Sequence, residues 1–369
     1  MRIGVNLLFL VPNEGGGSET LLTKLIPALG PHGDDIVVFG LRGLSAVHPQ
    51  LRQATTVVEA PWSSARPALR IAAEHSWLAL EAARRKLDVI HHAVGAAPFL
   101  KLLPTVTTIH DVQYRHHPEN FVRLKRAWLR GCVPQTARRS EVVCVPSRFV
   151  AEDVVAAFSL DSGKVLVVPF GSEGLFASEP TEGGEVRSRY RLDRPFFLFP
   201  GRTYPHKNHR LLIRAYAPLA HEADLVLTGA PWFRDREVEA AARNLGLTGK
   251  VRHLGLVPRA DLAGLYREAV ACVFPSRFEG FGAPALEAMT LSCPLIAANA
   301  AALPEVVGEA GILLEPDDLE GWSETMANLL HRPELADQLA RRGKARAALF
   351  SWERAAGLQR EAYLQAVGG

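Results

Sequence analysis

At 369 residues the chain is too long for one ordinary domain, and two domains of roughly 150–200 residues are expected. Its 48% hydrophobic and 22% charged content is that of a globular protein, and a net charge of +3 is too small to argue for nucleic acid as a partner. Four cysteines (Cys132, Cys144, Cys272, Cys293) with no CxxC and no framework spacing argue against a disulfide scaffold and for reduced thiols in a cytoplasmic protein.

The chain opens on 1-MRIGVNLLFLVPNEGGG-17, an apolar run with no small-residue cleavage site after it, which reads as a strand leading into the helix ETLLTKLIPAL. The runs DIVVFG, DVIHHAVG, TVTTIHDV, EVVCVPS (with the helix RFVAEDVVAAF) and KVLVVPFG follow. The stretch 171-GSEGLFASEPTEGGEVRSRY-190 has no apolar period and reads as a domain linker. A second series then begins: PFFLFPG and the helix HRLLIRAYAPLA; DLVLTG and EVEAAARNLG; VRHLG and DLAGLYREA; ACVFPS and APALEAM; PLIAANA and ALPEVVG; AGILLEP. Such alternation predicts parallel sheets covered on both faces by helices, with ligands outside the carboxyl ends of the strands. No apolar run approaches the about 20 residues that span a membrane.

Four stretches carry chemistry. The first, 15-GGGSET-20, follows a strand and opens a helix; its glycines let a ligand approach the backbone, or simply make a flexible turn. It is not GxGxxG, so a nicotinamide reading is weak. In 109-IHDVQYRHHPEN-120, His110 and Asp111 stand where a strand ends. A general base, a metal site and a histidine bonded to backbone are all open there, although His116 and His117 lack ligand spacing. In 200-PGRTYPHKNHRLLIRAY-216, Gly201 permits a tight exit from a strand. Arg202 and Lys207 then bracket a loop before a helix, which suits a diphosphate or a solvated basic loop. Last, 277-RFEGFGAPALEAM-289 sets Glu279 and Glu287 around a glycine-rich bend, with Pro284 fit for a first helical turn. The acids suit acid/base work, metal ligation, sugar hydroxyls or plain helix-start stabilisation.

Taken together, these residues resemble a retaining glycosyltransferase of family 4. Glu279 and Glu287 meet its E-x7-E spacing, GRTYPHKN its basic loop and GGGSE its N-terminal turn; the likeness covers nearly the whole chain and is strongest from Val251 to Asp318. The resemblance implies the GT-B α/β architecture, two facing Rossmann-like doubly wound domains with a deep cleft between them. It implies an acceptor domain over 1–175, joined by a crossing-back helix at 352–369, and a donor domain over 176–351. By the same resemblance Arg202 and Lys207 bind the donor diphosphate and Glu279 the hydroxyls of the transferred sugar. Glu287 binds the donor ribose, and His110 contacts the sugar at the reaction centre. Amides of Phe281 and Gly282 help hold sugar and phosphate, Gly201, Gly280 and Ala283 belong to the donor site with them, Gly16 and Gly17 lie near the phosphates or the acceptor, and Leu256 and Val257 touch the nucleobase. No DxD occurs, in keeping with the family's lack of a catalytic metal, so no cofactor is expected.

The implied partners are a GDP-, UDP- or dTDP-linked sugar and a glycan, lipid-linked or small-molecule acceptor. The 110-HDVQYRHHPE-119 loop leans toward mannose or a related hexose. A sugar-nucleotide epimerase of the same architecture and a non-catalytic sugar-nucleotide-binding protein are the alternatives. The basic segments 66–86 and 122–139 read either as solvated helix faces or as a peripheral contact with the inner face of a membrane.

Overall fold

The apolar runs fold into two all-parallel sheets, and burial explains why. A parallel strand joined through crossover helices is covered on both faces, so its sequence can be apolar without interruption. The computed structural model describes residues 1–11, 17–62, 72–98, 101–176, 180–230 and 235–368. It divides into two units, Met1–Gly171 with Phe350–Gly369, and Ser172–Leu349.

The first unit contains β1 (Arg2–Asn6), β2 (Asp35–Gly40), β3 (Thr56–Glu59), β4 (Val89–His92), β5 (Thr105–Thr108), β6 (Val142–Val145) and β7 (Val165–Val167), in the order β3-β2-β1-β4-β5-β6-β7. The second contains β8 (Phe196–Pro200), β9 (Asp224–Thr228), β10 (Val251–His253), β11 (Ala271–Phe274), β12 (Leu295–Ala298) and β13 (Ile312–Leu314), in the order β10-β9-β8-β11-β12-β13. The central strands β4, β5, β6, β8, β9, β11 and β12 are buried throughout. The edge strands β3, β7, β10 and β13 are not. Strand order reverses between β1 and β4 and again between β8 and β11, so each sheet has a crevice at the carboxyl ends of those pairs.

The structure differs from the sequence expectation in several places. The edge strand β3 and the helices Leu319–His331 and Pro333–Ala347 were not anticipated. The stretch 171–190 is only in part a connection, because Gly183–Tyr190 is a helix of the second unit. Arg187 there bonds Glu268 and Arg189 bonds Asp261, both on the helix Arg259–Glu268. The division falls at 171/172 rather than 175/176. Of the basic segments, Arg123–Arg139 is one helix and Trp77–Arg84 another, while 63–71 lie outside the described residues.

The C-terminal helix Trp352–Gly368 belongs to the first unit. Tyr363 bonds His91 Nδ1 at 2.9 Å, Gln359 donates to Cys144 Sγ and Arg360 to Asp34. Gly171 is required beside it, since a Cβ there would stand 2.5 Å from the Trp352 backbone nitrogen. His91 also bonds Thr108 Oγ1 at 2.8 Å, and on the other face of β4 His92 bonds Asn6. Burial drives the pKa of His91 down to about 3 and that of His92 to about 4, so both fold neutral.

A histidine whose folded pKa lies below its unfolded value stabilises the fold fully above the unfolded pKa. That contribution is lost as pH falls from about 6.5 toward 4, because the unfolded chain takes up the proton first. Thermal unfolding should therefore show the first unit losing stability between pH 7 and pH 5, by about 2 kcal/mol for each such histidine. His91→Gln, which keeps hydrogen-bonding capacity without titrating, should narrow that difference; an unchanged difference contradicts the assignment.

Candidate active site

The crevice between β8 and β11 gathers the basic loop and one of the two glutamates. After β8 the chain turns sharply: Gly201 N–H donates to Thr228 O at 2.8 Å, and Arg202 stands half-buried just beyond. A short 3-10 turn, Pro205–Lys207, ends at Asn208, which precedes the helix His209–Tyr216 with a left-handed φ of 62° and donates its side-chain amide to Pro316 O at 2.7 Å. This fixes Lys207 Nζ 5.0 Å from the centroid of the Phe274 ring, at the end of β11, and in an ion pair with Glu279. The two side chains are 13% and 12% exposed, so water screens the pair weakly. A carboxylate and an ammonium thus face each other at the reversal of strand order.

Glu287 lies further in, on the helix Ala283–Thr290, and is almost fully buried. Its Oε1 accepts from Arg259 Nη1 at 2.9 Å and its Oε2 from the Tyr266 hydroxyl at 3.0 Å. Gly282 opens this helix at φ 93°, and a Cβ there would lie 2.6 Å from the Leu303 side chain, so only glycine fits. Gly282 and Ala283 stand at the start, where the first amides of a helix lack intrahelical acceptors and favour negative charge. Leu256 is 76% exposed in the loop after β10, beside the half-buried Val257. The second unit therefore carries Gly201, Arg202, Lys207, Leu256, Val257, Glu279, Gly280, Phe281, Gly282, Ala283 and Glu287 on segments that follow its strands.

The remaining expected residues belong to the first unit. His110, just past β5, bonds the Ala93 carbonyl through Nε2 at 3.1 Å and meets the Phe170 ring edge-on. Burial lowers its pKa to about 4, only partly offset by the bond to Ala93, so it is a neutral hydrogen-bonding imidazole near neutral pH. Asp111 Oδ1 accepts from the Gln113 amide, and His116 and His117 pair with Asp153 and Glu119. Gly17 begins the helix Gly17–Leu29, while Gly16 lies outside the described residues. Among the described residues no group of three or more His, Cys, Asp or Glu is placed to hold a metal ion.

Sequence reasoning missed Arg259, Tyr266, Asn208 and Gly229. Gly229 sits at φ 136°, where a Cβ would lie 2.6 Å from Gly201 O, so it lets the loops after β8 and β9 touch. Its only signal was its place at the end of DLVLTG. Asn208 was visible as an Asn before a helix, a residue type that tolerates positive φ. Arg259 and Tyr266 lie within the stretch of strongest family likeness, but nothing there pointed to their role, because they act through contacts that are remote in sequence.

Comparison with known proteins agrees with this geometry. The family description "Glycosyltransferase Family 4" matches residues 15–172 and "Glycosyl transferases group 1" residues 185–346. The chain is 30% identical over 276 residues to the O-antigen chain mannosyltransferase B of Escherichia coli, covering 72% of this chain and 71% of that one. It is 31% identical over 279 residues to a D-inositol 3-phosphate glycosyltransferase of Xylanimonas cellulosilytica, covering 69% and 67%. The fold matches Anabaena HepE in complex with UDP and glucose at a TM-score of 0.76 and 19% identity, covering 98% of each chain. Two Rossmann-like parallel sheets, the spaced glutamates with their basic loop, and these matches together place the chain in glycosyltransferase family 4, with the GT-B fold.

Proposed function

We propose that the protein is a retaining hexosyltransferase that needs no metal. It would move a hexose, mannose in preference, from a GDP-, UDP- or dTDP-linked donor to a hydroxyl of a glycan, lipid-linked or small-molecule acceptor. The observation that carries this reading is the Lys207–Glu279 pair in the crevice between β8 and β11, with Arg202 on the same loop as Lys207. A diphosphate entering there meets fixed positive charge and the start of the helix Ala283–Thr290. Lys207 then turns from Glu279 toward phosphate, and the freed carboxylate of Glu279 accepts hydrogen bonds from the sugar. The mannosyltransferase relative supports mannose, and HepE's complex with UDP supports a nucleotide donor.

The chemistry follows from that placement. The bond from the anomeric carbon to the phosphate oxygen breaks, and its electron pair leaves with the diphosphate. The acceptor hydroxyl attacks the oxocarbenium-like sugar on the same face, and its proton passes to the departing phosphate oxygen. Arg202 and Lys207 supply the charge stabilisation that a cation supplies elsewhere. His110 is neutral and tied to the Ala93 carbonyl, so any part it takes is that of a hydrogen-bonding imidazole and not of a base. Glu287 takes the ribose and exposed Leu256 the base.

We place the protein in the cytoplasm, at the inner face of a membrane. No described helix is long and apolar enough to cross one. The helix Arg123–Arg139 and the residue before it instead begin with exposed apolar and cationic side chains: Val122 is 74%, Leu124 84% and Trp128 39% exposed, among Arg123, Lys125 and Arg130.

Two measurements test this. With the donor chosen by screening a panel of nucleotide sugars, Lys207→Ala and Glu279→Ala should each lower kcat/KM by roughly 100- to 1,000-fold. Activity should survive EDTA, and the product should keep the donor's anomeric configuration by NMR. Near-normal variants refute the site, and an inverted product refutes retention. For the membrane, sedimentation with anionic vesicles at low salt should pull the protein down, and Leu124→Glu with Trp128→Glu should release it. No binding at low salt ends that part of the proposal.

A further inference from the structure

Arg259 stands at the first position of the helix Arg259–Glu268, directly after the loop that carries Leu256 and Val257. A cation there opposes the helix dipole, which favours acids in the first turn, so helix stability does not account for it. Its contacts do. Nη1 donates to Glu287 Oε1 at 2.9 Å, Nη2 donates to the Leu175 carbonyl at 2.8 Å, and the guanidinium lies 4.3 Å from the centroid of the Phe176 ring. Tyr266, fully buried, donates to Oε2 of the same carboxylate and meets Phe176 edge-on. Each oxygen of Glu287 thus receives one of these donors. A carboxylate has about four acceptor sites, so one remains on each oxygen.

We propose that Arg259 is a positioning residue for the donor. With Tyr266 it holds the Glu287 carboxylate in a single rotamer, with the remaining lone pair of each oxygen presented to the adjacent 2′- and 3′-hydroxyls of a ribose. The fork geometry matters: one guanidinium bridges the carboxylate and the Leu175 carbonyl at once, which an ammonium does not reproduce. Arg259 touches no substrate in this account; it acts through Glu287. The proposal rests on the reading of Glu287 as the ribose ligand.

The test measures the dissociation constants of UDP and GDP against their 2′,3′-dideoxy counterparts by calorimetry, together with donor kinetics. For whichever base the wild type prefers, it should bind the ribonucleotide about 10-fold or more tightly than the dideoxy form, as hydrogen bonds to a charged group imply. Glu287→Ala should bring that ratio near 1. Arg259→Met, which keeps an apolar stem over Phe176, should bring it to about 2, with donor KM raised about 10-fold and kcat within about 2-fold. Arg259→Lys should fall between. A full wild-type ratio in Arg259→Met, with collapse in Glu287→Ala, overturns the role of Arg259. An unchanged ratio in Glu287→Ala overturns the ribose reading itself. If Arg259→Met does not fold, Arg259→Lys decides, and wild-type ratio and KM in that variant overturn the proposal.

Discussion

Lys207 and Glu279 are opposite charges held together where neither is well hydrated. Such a pair is costly to break one-sidedly, because the partner left behind keeps its charge in a poorly solvated place, at a cost of about 3–5 kcal/mol for a fully buried pair. It therefore fastens the loop after β8 to the loop after β11, and those strands lie side by side, with Cys272 paired to Leu198. A ligand that separates the charges must replace the interaction on both sides. A diphosphate does so for the lysine and a polyhydroxylated sugar for the glutamate, and a nucleotide sugar carries both.

The rest of the second unit keeps that place rigid. Gly229 and Asn208 let the loops converge where a side chain or an ordinary backbone conformation would collide. Glu287 is bonded on both oxygens and nearly dry, so its orientation is set before any ligand arrives. The first unit repeats the parallel architecture with different chemistry at the strand ends. There neutral histidines, the C-terminal helix and Asp34 make a firmly hydrogen-bonded body.

The central strands were legible because burial on both faces writes a continuous apolar run, and β2 and β9 begin where such runs begin. Edge strands are half-exposed, so 56-TVVE-59 carries no comparable run and was passed over. Glycine and serine density suggested a linker through 190, yet the helix Gly183–Tyr190 owes its place to Arg187 and Arg189 bonding acids more than seventy residues away. The candidate site divides the same way. Glu279, Glu287, Arg202 and Lys207 were visible through spacing and charge next to strand ends. The ion pair between two of them, and the hold of Arg259 and Tyr266 on a third, are tertiary contacts with no local trace.

The most direct measurement is a crystal structure of the protein with a nucleotide sugar bound. The account predicts the diphosphate at the crevice between β8 and β11, with Lys207 Nζ about 2.8 Å from a phosphate oxygen and no longer paired with Glu279. It also predicts Glu279 at hydrogen-bonding distance from the hexose and Glu287 from the ribose. A donor bound with the Lys207–Glu279 pair intact, or with its diphosphate elsewhere, would contradict it.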